Sequence, residues 1–227
     1  MSFVRSEKLA SFDGIVHGFA DRNIGANSSA IEKQFNLSKV AQLKQVHSGD
    51  VTIVEDIDKH NNVTEGDALI TNLAGVGIGI RTADCVPILI VDKEKSVIAA
   101  VHAGWRGTWS EIVVNTVNKI ESEFGISSTN LTAVIGPSIK NCCYEVGEDV
   151  ASLFNDRFNN TEYYLSKRAE SKYLLDLCIA NKLSLQKAGV VDIEILDVCT
   201  KCDDSFYSYR REGKGVSTQL SFIAINK

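Results

Sequence analysis

The clearest pattern of apolar positions lies between Val86 and Ala103. Two apolar runs, V-P-I-L-I-V and V-I-A-A-V-H-A, flank the charged segment D-K-E-K-S. Runs this continuous and this short predict two strands buried on both faces and joined as a hairpin. Centring the hairpin on Lys93 and Glu94 pairs Val91 with Ser96, Leu89 with Ile98, Pro87 with Ala100 and Cys85 with His102. Directly opposed residues hold their Cβ atoms about 4.5–5.5 Å apart. A slip of one residue would put Cys85 and His102 on opposite faces.

The remaining pattern predicts elements on both sides of this hairpin. Residues 12–20 read as a strand carrying His17, and Arg22 and a turn-rich stretch follow. Ser29-Ala-Ile-Glu32 fits a capping box and predicts a helix over 30–36. A second helical piece is expected from Ser38, and Leu43 to Val54 as a strand that holds His47 and is interrupted at Gly49. Residues 55–66 are polar and read as a surface loop containing His60. Val76 to Ile80, V-G-I-G-I, is a strand with one bare face, against which something must pack closely. Thr108-Trp-Ser-Glu111 fits another capping box, with a helical stripe at Ile112, Val113, Thr116, Val117 and Ile120 and a stop at Gly125. Leu131–Ile135, Ile193–Val198 and Ser217–Ile225 read as strands; 147–158 and Tyr173–Ala188 read as helices.

No repeat or low-complexity linker divides the 227 residues, and there are two prolines. The expectation is one domain, 1–227, of α/β class, a mixed β-sheet with flanking helices. The 44% apolar fraction is ordinary for a globular protein. A formal charge of −5 argues against a general nucleic-acid binder. No apolar run reaches the ~20 residues that span a bilayer, and the first ten residues hold no continuous apolar segment. No membrane partner and a cytoplasmic location are therefore expected. The six cysteines then read as core residues or ligands rather than disulfides.

Three roles compete for Cys85 and His102: metal ligation, a Cys–His nucleophile pair, or plain packing. Of the four histidines, His60 lies among charges, His17 is isolated, and His47 sits in K-Q-V-H-S-G-D at a strand interruption. A His47, Cys85, His102 set would give zinc three protein ligands and one open position, the pattern of catalytic rather than structural zinc. Spacing alone leaves His17 open as a ligand. Cys199-x-x-Cys202 lacks a second ligand pair in sequence and reads as structural. Cys142 and Cys143 are adjacent, so an extended strand would point them apart and packing is the expected use; Cys178 falls on a helical apolar stripe. Arg22, Arg81, Arg106, Arg210 and Arg211 are cations near turns, with Arg106 at a helix start favoured for anion binding. Asp67, Asp84 and Glu145 are candidates to orient a ligand or move a proton.

Across nearly its whole length the chain resembles the laccase-domain, or YfiH-type polyphenol oxidase, family. The carriers are H-G-F at 17–19, K-Q-V-H-S at 44–48, G-D-A-L-I-T at 66–71, R-T-A-D-C-V-P at 81–87, V-H-A-G-W-R-G-T at 101–108, I-G-P-S-I at 135–139, C-Y-E-V-G at 143–147, L-D-L at 175–177 and F-Y-S-Y-R-R-E at 206–212. The resemblance implies a YfiH-like single-domain α/β fold and a metal held by His47, Cys85 and His102. It implies zinc, with copper possible, and purine nucleoside chemistry. That chemistry is phosphorolysis of adenosine, inosine, guanosine and methylthioadenosine, and deamination of adenosine. Small-molecule nucleoside and phosphate would be the partners, with Arg22, Asp84, Arg106 and Glu145 as catalytic candidates. Copper-dependent polyphenol oxidation and a Cys–His hydrolase are the alternatives; four histidines are too few for several copper sites. The chain departs from the family at S-T-Q, 217–219, where G-R-Q is usual.

Overall fold

The computed structural model describes residues 3–56 and 61–226. Its strands are β1 (Phe3–Val4), β2 (Ile15–Ala20), β3 (Lys39–Lys44), β4 (Val51–Ile53), β5 (Asn61–Glu65), β6 (Ala68–Thr71), β7 (Val76–Thr82), β8 (Val86–Asp92), β9 (Ile98–Ala103), β10 (Leu131–Ile135), β11 (Glu145–Gly147), β12 (Leu165–Ala169), β13 (Lys172–Leu175), β14 (Asp192–Ile195) and β15 (Gln219–Ile225). Its helices are α1 (Glu7–Ala10), α2 (Ser28–Phe35), α3 (Trp105–Trp109), α4 (Ile112–Phe124), α5 (Glu148–Arg157), α6 (Leu177–Lys187) and α7 (Tyr209–Glu212). His60 lies outside the described residues.

Two six-stranded mixed sheets form the centre, in the orders β1-β2-β15-β7-β3-β5 and β14-β10-β8-β9-β6-β4; a small third sheet is β11-β13-β12. Leu89, Val91 and Ala100 face Ile78, Ile80 and Ile223 of the first sheet, and this interface is one core. The alternate residues Ile88, Ile90 and Val101 meet Val113, Val117 and Ile120 of α4, together with Phe154 and Leu185. Strands β8 and β9 are thus covered on both faces, which is why their sequence is continuous rather than alternating. On the outer face of the first sheet, Ile31 of α2 packs with Leu37, Val40, Leu220 and Phe222. The bare face of β7 is used here: a Cβ on Gly77 would stand 3.1 Å from both Leu37 and Val40.

The hairpin register differs from the expected one by two residues. Val91 pairs with Ile98, Leu89 with Ala100 and Pro87 with His102. The cause is Asp92, whose carboxylate accepts from the N–H groups of Glu94, Ser96 and Val97 and widens the turn. An even shift leaves every side chain on its expected face.

Other boundaries move for local reasons. The cap of α2 is Asn27, which accepts from the Ala30 N–H, and Glu32 instead accepts from the Val40 N–H. The stretch after Ser38 is strand β3, not helix, because it pairs with β7 and β5. The helix expected from Thr108 starts earlier, at Trp105, and breaks at Glu111, which takes a left-handed φ of 56°. Its expected stripe is buried on α4, and Gly125 closes it with φ 68°. Tyr173 lies in β13, and Asp176 caps α6 through the Ile179 N–H.

His17 is buried on β2 and its Nε2 accepts from the Ser6 N–H at 3.0 Å. Burial, then the nearby Arg5 charge, lowers its pKa to about 4. A group with a depressed folded value stabilises the fold above its unfolded pKa of about 6.5 and loses that contribution as pH falls toward 4. His17 is therefore expected to cost about 2 kcal/mol of stability on going from pH 7 to pH 5. Urea midpoints at the two pH values check this, because His17→Gln keeps an acceptor for Ser6 and flattens the drop. An equal drop in both proteins would remove His17 as its source.

Candidate metal centre and cleft

Three segments meet beyond the ends of β3, β8 and β9. His47 lies in the loop between β3 and β4, Cys85 immediately precedes β8, and His102 is on β9. One ligand atom from each lies within 4.8 Å of the others. Cys85 Sγ is 3.9 Å from His47 Nε2, and the two imidazoles meet edge to face at 4.8 Å between centroids.

Asp67 builds this arrangement. It is fully buried, and its Oδ1 lies 2.7 Å from His102 Nδ1. It also accepts from the backbone N–H groups of Val46, His47 and Ser48 at 3.2, 3.0 and 2.6 Å. The first contact fixes the His102 tautomer and leaves Nε2 free to bind. The others hold His47 at a left-handed φ of 61°, a conformation that costs a non-glycine residue on the order of 1 kcal/mol. Gln45 secures the same loop by exchanging side-chain bonds with both backbone groups of Arg81. Gly104 supplies the room, because a Cβ there would sit 3.0 Å from both Cys85 Sγ and His47 Cδ2.

Without metal the electrostatics favour a thiolate beside a protonated His102, whose Nε2 proton a bound metal would displace. Burial would raise the Cys85 thiol, but the His102 charge and hydrogen bonds from His102 and His47 bring it down to about 6. Burial would lower His102, but the Cys85 charge and the Asp67 hydrogen bond bring it up to about 9. Burial would likewise raise Asp67, and His102 with the loop N–H groups holds it below the usual carboxylate range. Two imidazoles and a thiolate suit zinc or copper. His17, bonded to Ser6 on β2, is not among these donors.

The donors open into a cleft of about 920 Å³. Trp105, Tyr144 and Tyr209 give it aromatic walls, and Lys44, Arg81, Arg106 and Arg210 give it cations. Arg106 lies over the Trp105 ring at 4.3 Å, and Arg210 over Tyr144 at 5.1 Å. Asp84 lines the cleft, but its carboxylate is occupied: it accepts from Thr200 Oγ1, Ser208 Oγ and the Arg210 N–H. Arg22 and Glu145 do not line it. Arg22 pairs with Glu212 at 2.5 Å, and Glu145 pairs with Arg168 at 3.2 Å and Lys172 at 3.7 Å. The Glu145 carbonyl accepts from Arg210 Nη1 at 2.9 Å. The chain pattern does not single out Tyr144, Tyr209 or Trp105 as site residues, although each sits inside a stretch that carries the family resemblance.

A sequence profile of the family described as multi-copper polyphenol oxidoreductase laccase matches residues 9–226. The chain belongs to that family. Relatives of this chain carry quite different activity names. A purine nucleoside phosphorylase from Clostridium acetobutylicum is 40% identical over 201 residues, covering 87% of this chain and 81% of that protein. An adenosine deaminase, RL5, from an unknown prokaryote is 36% identical over 207 residues, covering 86% and 78%. The crystal structure of YlmD from Geobacillus stearothermophilus matches with a TM-score of 0.90 at 25% identity, covering all of this chain and 97% of that one. The mixed α/β architecture is therefore the one this laccase-type family shares.

Among the described residues no helix is long and apolar enough to cross a membrane.

Proposed function

We propose that this chain is a zinc-dependent purine nucleoside enzyme that phosphorolyses adenosine, inosine, guanosine and methylthioadenosine and deaminates adenosine. The observation that carries this reading is the convergence of His47, Cys85 and His102 on one wall of an aromatic, cation-lined cleft of about 920 Å³. Cavities of this size hold small ligands, and the relatives' names supply the substrate class. A zinc ion at the three donors would supply a Lewis acid that polarises a nearby oxygen or nitrogen.

The chain's own residues divide the remaining work. Trp105, Tyr144 and Tyr209 offer faces for stacking a purine. Arg81, Arg106 and Arg210 can meet phosphate, Arg106 with its guanidinium over the Trp105 ring. Asp84 and Glu145 act through Arg210, the first by its carboxylate on the Arg210 N–H and the second by its carbonyl on the guanidinium. Arg22 acts at one further remove by holding Glu212, which also pairs with Arg211.

Zinc-loaded protein given adenosine with phosphate is expected to release adenine and ribose-1-phosphate, and without phosphate to yield only inosine. Absence of turnover with every purine nucleoside sinks the proposal.

A further inference from the structure

Cys142, Cys143, Cys199 and Cys202 come together beside Tyr144 in the chain, and none of them lines the cleft. Their four sulfurs all lie within 4.8 Å of one another. Cys142 Sγ is 3.6 Å from Cys143, 3.7 Å from Cys199 and 3.8 Å from Cys202, and Cys143 lies 3.3 Å from Cys202. The sequence expectation that the adjacent pair points apart fails, because residues 141–143 form a turn and not an extended strand. The sequence reading of Cys199 and Cys202 as an isolated pair fails too, because the partner pair is contributed from 57 residues upstream.

A regular tetrahedron of sulfurs at zinc–sulfur distances of about 2.3 Å has edges of about 3.8 Å. The four separations of 3.3–3.8 Å are those one ion bound by four thiolates would need after small adjustments. They are longer than the ~2.05 Å of a disulfide.

The backbone is arranged for the same purpose. The turn at Lys140–Cys143 closes through the Cys143 N–H on the Lys140 carbonyl, and the turn at Cys199–Cys202 through the Cys202 N–H on the Cys199 carbonyl. Ser138 and Cys199 form a parallel bridge that ties the two turns together. Arg211 donates to the carbonyls of Thr200 and Lys201, placing positive charge beside the second turn.

We propose that Cys142, Cys143, Cys199 and Cys202 form a second, structural zinc site that fixes the Tyr144–Arg210 wall of the cleft. Four protein ligands leave no open position, which is the structural pattern. Binding takes up the four sulfurs as thiolates, with their protons passing to solvent. The wall follows directly from the connectivity. Tyr144 is the next residue after Cys143, and Arg210 stacks on it. Thr200, between the other two ligands, donates to Asp84, which in turn holds the Arg210 N–H.

The test is zinc content and cobalt spectroscopy on the full chain purified under reducing conditions. Wild type is expected to hold two zinc ions per chain, and C199S/C202S and C85S one each. Cobalt-substituted C85S keeps the intense thiolate-to-cobalt charge-transfer absorption of a four-sulfur site, and cobalt-substituted C199S/C202S loses it. Removing the second ion is expected to lower Tm by roughly 10 °C, the scale of a lost structural cross-link in a chain this size. If the double variant does not fold, wild type settles the matter by alkylation: zinc shields four thiols outside Cys85 and Cys178, and chelation exposes them. The proposal is overturned if wild type binds a single zinc that C85S abolishes, if those four thiols alkylate equally with and without zinc, or if the protein isolated in reductant carries them as two disulfides. Any of these leaves the His47, Cys85 and His102 reading untouched, because C85S reports on that site alone.

Discussion

Asp67→Ala is expected to cost about 3–5 kcal/mol of folding stability and to weaken metal binding at His47, Cys85 and His102 by 10- to 100-fold or more. The size follows from how much one side chain does in a place closed to bulk solvent. Asp67 is fully buried, accepts three consecutive backbone N–H groups and holds His102 Nδ1. Alanine leaves three donors and an imidazole unpaired together. It also releases the constraint that keeps His47 in its left-handed conformation. Asp67→Asn separates the two effects. An amide retains one oxygen for the loop, so about half the stability returns, but it presents N–H₂ or a neutral oxygen to His102 and the affinity loss persists. Urea unfolding of the metal-free proteins, beside competition with a chelator of known affinity, reads the two quantities independently. Wild-type affinity in Asp67→Asn would mean that His102 needs no partner to keep its tautomer.

Cys85→Ser is expected to lower nucleoside turnover on the order of 10³-fold while changing metal-free stability by less than about 1 kcal/mol. The reason is charge. The thiol sits between two imidazoles that favour its ionised form at neutral pH, whereas a serine hydroxyl stays neutral and binds zinc weakly. Cys85 lies just before β8 and outside the packed interface, so the exchange leaves the core intact. Steady-state rates with adenosine and phosphate, with metal content measured on the same sample, test this. Full activity with full zinc would take Cys85 out of the ligand set.

Much of this architecture is legible from pattern, and the failures share a cause. The runs at 86–91 and 97–103 announce strands buried on both faces, and V-G-I-G-I announces the close approach that Leu37 and Val40 make. The hairpin register is missed because a single carboxylate, Asp92, outweighs turn symmetry by satisfying three N–H groups. The two capping boxes are missed for the same kind of reason. Ser29 and Thr108 have the right spacing, but Asn27 and Gly104 stand where the chain actually turns. Pairing with two neighbours makes 39–44 a strand despite its helical look, since tertiary contact overrides propensity.

The site divides along the same line. His102 and Cys85 are near in sequence, on adjoining ends of one hairpin, so their proximity can be read from the chain. His47 is brought in by β3, and choosing it over His17 depends on the resemblance until β2 is seen to bury His17 against Ser6. The four-cysteine group cannot be read at all from spacing, because two turns separated by helices α5 and α6 and four strands have to meet. Tyr144 and Arg210 gain meaning only through that meeting.

The burial of β8 and β9 on both faces bears on how metal enters and leaves. Cys85 and His102 are anchored to strands whose amides open only when both sheets separate, so their hydrogen exchange should report close to global unfolding. His47 stands on an exposed rim loop held by Asp67. The centre thus has two fixed jaws and one hinged one. Metal is therefore expected to enter and leave through excursions of residues 46–48 rather than through unfolding, and a bound ion should slow the exchange of those three amides more than those of the strands beneath.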